Sequence, residues 1–220
     1  MHIQFLGLPA SGKTTIVHAL ARKNPNLFFK GKKVYSSFFK MLIFNPILAL
    51  KCVNISLPIL LMCLKALKKS NLQLPNRYIA IFGLFVNIGN FILEKNKSVN
   101  NSKIILWDEL FFQRFLSIFV YDIKSPDSSQ ISKYINWVND KFSVKTILIL
   151  SDLDVAKKRL FKRGLPNRME KFDKNIINKI IHNQLMALHK INDISNFYLT
   201  INSKDEVNYN VNLITSKLKI

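Results

Sequence analysis

Acidic side chains are scarce in this sequence, which has 13 aspartate and glutamate residues against 33 lysine and arginine residues among 220. The resulting formal net charge of +20 favours anionic partners, namely nucleotides, nucleic acid or an acidic membrane surface. Most of these cations are lysines scattered along the chain, so part of the charge is expected on solvated faces. The net charge therefore predicts that a partner is negatively charged, but it does not distinguish nucleotides, nucleic acid and membranes.

Cysteine and histidine are also rare. Cys52 and Cys63 would lie about 16 Å apart on a single helix, too far to form a disulfide, so a disulfide framework is excluded and a cytoplasmic location is expected. The four histidines show no metal-ligand spacing with the cysteines. The first residues lack the basic region of a signal peptide. With 49% hydrophobic residues and no internal repeat, residues 1–220 are predicted to form a single domain.

The strongest motif lies near the start of the chain. Residues 7–14, GLPASGKT, match G-x-x-x-x-G-K-[ST], the P-loop or Walker A pattern, at every fixed position. Residues 2–6 are predicted to form a buried strand and residues 15–21 the helix that follows, which is the context the motif requires. Backbone N–H groups of such a loop bind phosphate, Lys13 would reach the β- and γ-phosphates, and Thr14 would ligate Mg²⁺. The predicted nucleotide-binding residues are Gly7, Pro9, Ala10, Ser11, Gly12, Lys13, Thr14 and Thr15.

A second element is an apolar segment that ends in two acids. Residues 103–107, KIILW, are predicted to form a buried parallel strand, and Asp108 and Glu109 follow it. This is the Walker B form, in which a carboxylate opposite the P-loop organises Mg²⁺. Asp108 is therefore predicted to ligate the metal together with Thr14. Three alternative roles are predicted for Glu109: to ligate the metal, to position a substrate hydroxyl, or to act as a base.

Three of the six arginines lie in a basic segment, residues 157–171, which is predicted to form a lid. Arg159 and Arg163 are four residues apart on one face of a predicted helix, and Arg168 follows a Gly-Leu-Pro turn. Guanidinium groups suit the negative charge that phosphoryl transfer spreads over oxygen atoms. A segment that closes over a triphosphate would also exclude water. All three arginines are therefore predicted to be catalytic.

Residues 38–95 are predicted to form an inserted helical region. Its part 41–64 is apolar and long enough to span a bilayer, although two prolines, two asparagines and a lysine interrupt it. Helices buried in a subdomain are the favoured interpretation, and a helix lying on an anionic membrane or a true span are the alternatives. Arg77 in this region, and Arg114 just over one helical turn beyond Glu109, are candidates for holding an anionic group of the acceptor.

Strands alternate with helices, which indicates a parallel sheet with helices on both faces and ligands at the carboxyl ends of the strands. The three further strands are predicted at residues 34–37, 144–150 and 197–201.

Together these features resemble P-loop nucleoside and nucleotide kinases of the thymidylate-kinase-like group. Three segments carry the resemblance, GLPASGKT, ILWDELFFQR and RLFKRGLPNR. It implies a three-layer α/β/α P-loop NTPase fold with a five-stranded parallel sheet, in which residues 38–95 bind the acceptor. It also implies a kinase that uses ATP and Mg²⁺ to phosphorylate a small molecule, usually a nucleotide or nucleoside. Where such kinases usually have Asp-Arg or Glu-Arg, this chain has Asp108-Glu109, and its insert is unusually apolar, which leaves the acceptor open.

Other functions stay open as alternatives. A P-loop ATPase or regulatory NTPase, associated with a membrane or nucleic acid, would use Glu109 to activate water. A GTPase switch is disfavoured because the sequence lacks an Asn-Lys-x-Asp element. Nucleic acid is a disfavoured partner because no basic stripe is interleaved with aromatic residues. A homodimer and a peripheral contact with the inner face of a membrane remain open.

Overall fold

A parallel sheet of five strands organises the chain. The computed structural model describes residues 1–70, 72–98, 103–120, 128–165, 169–195 and 197–219. The strand order is β2-β3-β1-β4-β5, and every neighbouring pair is parallel. The strands are β1 (His2–Gly7), β2 (Phe28–Lys30), β3 (Ile104–Trp107), β4 (Lys145–Leu150) and β5 (Leu199–Asn202).

Helices cover both faces of this sheet. The residues between β1 and β2 form α1 (Lys13–Lys23), and three helices lie between β2 and β3, namely α2 (Phe38–Phe44), α3 (Pro46–Lys68) and α4 (Leu74–Ser98). The remaining helices are α5 (Phe111–Phe119), α6 (Ser128–Phe142), α7 (Leu153–Arg163), α8 (Lys174–Ile194) and α9 (Val207–Lys217).

Two apolar cores lie on opposite faces of the sheet. Because successive side chains of a strand point to opposite faces, Ile3 and Phe5 of β1 pack with buried residues of α1 and α9. Leu6 packs on the other face, in the larger core built with α3, α4, α5, α6 and α8. The predicted three-layer arrangement is confirmed.

The second strand is not where the sequence predicted it. Residues 34–37 are not a strand, and β2 at Phe28–Lys30 pairs with β3 instead. The reason is that the side chain of Asn90 satisfies the backbone of Tyr35. Asn90 Oδ1 accepts from the Tyr35 amide at 2.9 Å, and Asn90 Nδ2 donates to the Tyr35 carbonyl at 3.0 Å. A side-chain amide thus takes the place of a neighbouring strand.

Prolines act differently at the two positions in the apolar insert. Pro46 occupies the first turn of α3, and Asn45 caps it by accepting from the Leu48 amide at 3.0 Å. Pro58 lies inside α3, which continues through it, although a proline favours a helix break. In the turn before Pro58, the indole Nε1 of Trp137 on α6 donates to the Ile55 carbonyl at 3.2 Å.

The interpretation of the insert as buried helices holds more for α4 than for α3. By length and composition alone, both helices could cross a membrane, and the buried share of the apolar window is 61% in α4 and 33% in α3. One side of α3 packs into the larger core through Cys52, Ile59 and Cys63. Its other side is exposed.

Gly31, directly after β2, supports the strand end that carries the acids. A Cβ at this position would come within 2.6 Å of the indole ring of Trp107. That ring is buried, and its Nε1 donates to His2 Nδ1 at 3.2 Å. Burial, with the N-terminal ammonium and Lys95 nearby, lowers the pKa of His2 to about 4, so its ring is neutral and can accept this bond.

We expect Gly31→Ala to lower the free energy of unfolding by about 1–3 kcal/mol, because the indole ring of Trp107 has no space to move into. The denaturant midpoint measures this change. Trp107→Phe supplies the control in a double-mutant cycle, since the smaller ring should make the same alanine substitution less damaging. An equal loss in both backgrounds would contradict the steric explanation.

Candidate active site

A cavity of about 670 Å³ lies at the carboxyl end of β1, between the loop after this strand and parts of α5, α7 and α8. This volume suits a small-molecule site. Four predicted residues outside the loop line it, namely Glu109, Arg114, Arg159 and Arg163. The loop and the start of α1 contribute Pro9, Ala10, Ser11, Gly12, Lys13, Thr14 and Thr15.

The loop has the backbone geometry of an anion-binding turn. Ala10 and Gly12 adopt left-handed conformations, with φ of 63° and 93°. A Cβ on Gly7 would lie 2.6 Å from Ser11 Oγ and 2.8 Å from the Ile149 carbonyl oxygen, so only glycine fits where the loop turns back. The loop leads directly into α1, whose first N–H groups have no partner within the helix. Such a turn followed by a helix N-terminus favours phosphate.

Lys13 is buried inside this loop. Its ammonium donates to the carbonyl oxygens of Gly7 at 3.0 Å and Leu8 at 2.8 Å. Burial lowers the pKa of Lys13 to about 8; Glu109 and Asp108 oppose the decrease, and Arg163 adds to it. The ammonium is therefore shielded from water, and the lower effective dielectric strengthens its attraction for an anion.

Asp108 and Thr14 lie side by side. Thr14 Oγ1 donates to Asp108 Oδ2 at 3.3 Å, and Lys30 Nζ lies 3.4 Å from the same oxygen. A hydroxyl and a carboxylate next to a phosphate-binding loop fit Mg²⁺, which takes oxygen ligands and usually few of them from protein. Among the described residues no group of three or more His, Cys, Asp or Glu side chains is arranged to hold a metal. Thr14 at the start of α1 and Asp108 after β3 are therefore the oxygen groups beside the loop that would suit a metal ion.

Glu109 lies at the cavity and is half exposed. Its Oε2 is 3.4 Å from Lys33 Nζ. Lys30 and Lys33 were not assigned to the acids by the sequence analysis, because only the neighbouring position of β2 and β3 in the sheet brings them together. An exposed ion pair of this kind is weak, so Lys33 leaves the Glu109 carboxylate available.

The arginines divide by location. Arg159 and Arg163 of α7 face the cavity, as does Arg114 of α5, whose guanidinium packs against Gly83 of α4. A Cβ on Gly83 would lie 2.8 Å from one terminal nitrogen of Arg114, so α4 makes room for this side chain. Arg168 lies outside the described residues.

Arg77 does not line the cavity. Its Nε donates to the Leu72 carbonyl at 2.8 Å and its Nη2 to the Ser70 carbonyl at 3.1 Å. These hydrogen bonds stabilise the connection between α3 and α4. The guanidinium of Arg77 therefore serves this connection, whereas the sequence predicted that it would hold an anionic group of the acceptor.

Two glutamines give the cavity an unusual polar lining. The side-chain oxygens of Gln113 on α5 and Gln184 on α8 are buried and have no hydrogen-bond partner. Gln184 is only 3% exposed. Unpaired buried acceptors are costly, and a ligand in the cavity that carries N–H or O–H groups would satisfy these two. Gln184 could not be predicted from the sequence, because a single glutamine in an amphipathic helix carries no motif.

The sheet, the flanking helices and the loop after β1 together define the α/β P-loop kinase fold. Over its full length the chain is similar to deoxyadenosine kinase from M. mycoides with bound dATP, at 17% identity, a TM-score of 0.53 and 100% coverage of that chain. The same kinase with bound dCTP gives 16% identity, a TM-score of 0.52 and coverage of 100% of this chain and 99% of that chain.

A third solved structure, the YorR protein from Bacillus subtilis in complex with phosphorylated GDP, is 14% identical with a TM-score of 0.50, covering 100% of this chain and 96% of that chain. No protein-family model and no curated sequence matches the chain. The structural similarities confirm the predicted resemblance to P-loop nucleoside kinases at the level of the fold.

Gln184→Met should raise the free energy of unfolding by about 1–2 kcal/mol, because it removes a buried oxygen without a partner and nearly conserves volume. Urea denaturation measures the change. The neighbouring Asn183 is also buried but has an interaction partner, so Asn183→Leu should lower stability and serves as the control. Destabilisation by both substitutions would show that the Gln184 oxygen is satisfied in solution.

Proposed function

We propose that this protein is a kinase that transfers the γ-phosphoryl group of ATP to a nucleoside or nucleotide, with Mg²⁺ as the metal. The observation that carries the proposal is a single cavity in which an anion-binding loop with a buried lysine faces a carboxylate and three arginines. An anion-binding loop alone would fit many functions. Glu109 adds a carboxylate that can take the proton of an acceptor hydroxyl.

Each group has a role in the proposed reaction. The loop amides and Lys13 bind the triphosphate, and Thr14 and Asp108 hold Mg²⁺, which when bound would neutralise charge on the phosphate oxygens. The acceptor oxygen forms a bond to the γ-phosphorus while the bond to the bridging oxygen of ADP breaks, and Glu109 receives the acceptor proton. Arg159 and Arg163 stabilise the negative charge that the transferred group carries.

The far side of the cavity supports a nucleoside or nucleotide acceptor. The unpartnered oxygens of Gln113 and Gln184 fit donors such as the N–H groups of a base, and Arg114 fits an anionic group. Solved structures with the same fold bind dATP, dCTP and dCMP. A lipid tail suits this lining poorly, because most of the side chains that form it are polar.

ADP release from Mg-ATP, measured with and without a panel of nucleosides and nucleoside monophosphates, tests the proposal. We expect release only with an acceptor, and we expect Lys13→Ala to reduce it by about a hundredfold or more, since the charge at the phosphates is lost. Lys23→Ala is the matched control, because Lys23 is exposed on the same helix and bonds to Asn212 on α9.

Three results would contradict parts of this proposal. Acceptor-independent release would favour the ATPase alternative, in which Glu109 activates water. Unchanged activity in Lys13→Ala would exclude the loop as the triphosphate site. Activity towards sugars but not towards nucleosides or nucleotides would overturn the proposed acceptor class.

Above about pH 8 the affinity for ADP should fall as pH rises, by up to about tenfold per unit. Burial lowers the pKa of Lys13 to about 8, and only the protonated form attracts phosphate. Calorimetry at pH 8.5 should therefore show proton uptake on binding. Lys13→Arg should remove this uptake because arginine stays charged. Equal proton uptake in both proteins would contradict the assignment to Lys13.

A further inference from the structure

An exposed apolar surface on α2 and α3 lies outside the cavity. We call it the outer strip. Ile43, Phe44, Ile47 and Leu61 are 73%, 75%, 79% and 72% exposed. Contiguous exposed apolar surface of this kind is rare on soluble monomers and marks an interaction site. The outer strip consists of Phe39, Leu42, Ile43 and Phe44 on α2 and of Ile47, Leu50, Leu57, Leu61 and Leu64 on α3.

The outer strip is continuous because of helix periodicity and a tight connection. Its α3 members recur at intervals of three, four or seven residues, which places them on one side of the helix. The opposite side, including Cys52 and Cys63, is buried in the larger core. Only Asn45 separates α2 from α3, so Phe44 and Ile47 join the two parts.

The charges carried by α2 and α3 themselves have a single sign, and a carboxylate from another helix, Asp140 of α6, lines a cavity with Pro58. The first acidic residue of the chain is Glu94, so the first 93 positions contain no aspartate or glutamate. Lysines flank and interrupt the apolar residues. Their methylene stems can lie along apolar surface while the ammonium groups remain in water. The exposed lysines of α2, α3 and the residue that follows α3 are Lys40, Lys51, Lys65, Lys68 and Lys69.

We propose that the outer strip binds the surface of a bilayer that contains anionic lipids, with α3 lying in the plane of the interface. An anionic bilayer complements both the apolar side chains and the lysines. A second copy of the chain complements only the apolar part, because two outer strips in contact would bring lysines together without an acid from either. Charge thus favours lipid over self-association.

The same helix does not cross the bilayer in this proposal. Its inner side is part of the larger core, and the Ile55 carbonyl accepts from Trp137 on α6. A crossing would expose this side to lipid and break those contacts. Binding through one side leaves the fold and the cavity unchanged, so it is independent of the proposed kinase reaction.

Vesicle flotation of the full chain tests the proposal. The probes are vesicles of phosphatidylcholine alone and of phosphatidylcholine with phosphatidylglycerol. We expect flotation only with the anionic vesicles, weakened by added salt because the charges involved are exposed. Leu50→Gln combined with Leu61→Gln should reduce binding by about tenfold or more, since two apolar side chains no longer enter the interface.

Matched controls separate the outer strip from general effects of charge and stability. Tyr209→Gln on α9 removes an apolar side chain that is 58% exposed elsewhere and should leave flotation unchanged. Lys51→Gln combined with Lys65→Gln should weaken binding, whereas Lys179→Gln combined with Lys217→Gln removes the same charge elsewhere and should change binding little. An unchanged melting temperature confirms that each variant is folded.

Four outcomes would overturn the proposal. They are absence of flotation with both vesicle types, equal flotation with neutral and anionic vesicles, and equal losses from the two sets of lysine substitutions. The fourth is a parent chain that does not bind vesicles and sediments as a dimer, which Leu50→Gln combined with Leu61→Gln dissociates. That result would assign the outer strip to self-association.

Discussion

Parallel pairing of β1 with β3 on one side and β4 on the other brings the parts of the cavity together. Gln4 is in register with Trp107, and Gly7 with Ile149, so the loop after β1 and the two acids after β3 leave the sheet at one edge. Gln4 extends this constraint to the helices. Its Nε2 donates to Thr146 at 3.0 Å, and its Oε1 accepts from the Phe112 amide at the start of α5 at 3.3 Å. A slip of one residue would turn Gln4 to the other face and release α5.

Electrostatic repulsion is concentrated where the strands end. Six cations and two carboxylates meet there among the described residues, and the carboxylates already pair with two of the cations. A polyanion entering the cavity would relieve the repulsion among the cations, so the site favours highly charged ligands over neutral ones. The cations are Lys13, Lys30, Lys33, Arg114, Arg159 and Arg163, and the carboxylates are Asp108 and Glu109.

Features for which a backbone shape demands particular residues could be predicted from the sequence, whereas features that depend on tertiary contacts could not. The P-loop could be predicted because positions such as Gly7 and Gly12 tolerate no other residue without strain or overlap. The strand at residues 34–37 was wrong because a distant amide, Asn90, bonds to that backbone. The hydrogen bonds of Arg77 and the unpaired oxygen of Gln184 depend on how the helices pack. No local sequence pattern predicts either of them.

Oxidation of the two thiols of α3 requires this helix to move away from the core. Both are free, and burial raises the pKa of Cys52 and of Cys63 to about 12, so almost no reactive thiolate forms at neutral pH. Oxidants and alkylating reagents therefore reach them only when the inner side of α3 leaves the core. The rate at which these two cysteines are oxidised is therefore set by the free energy of local opening of α3.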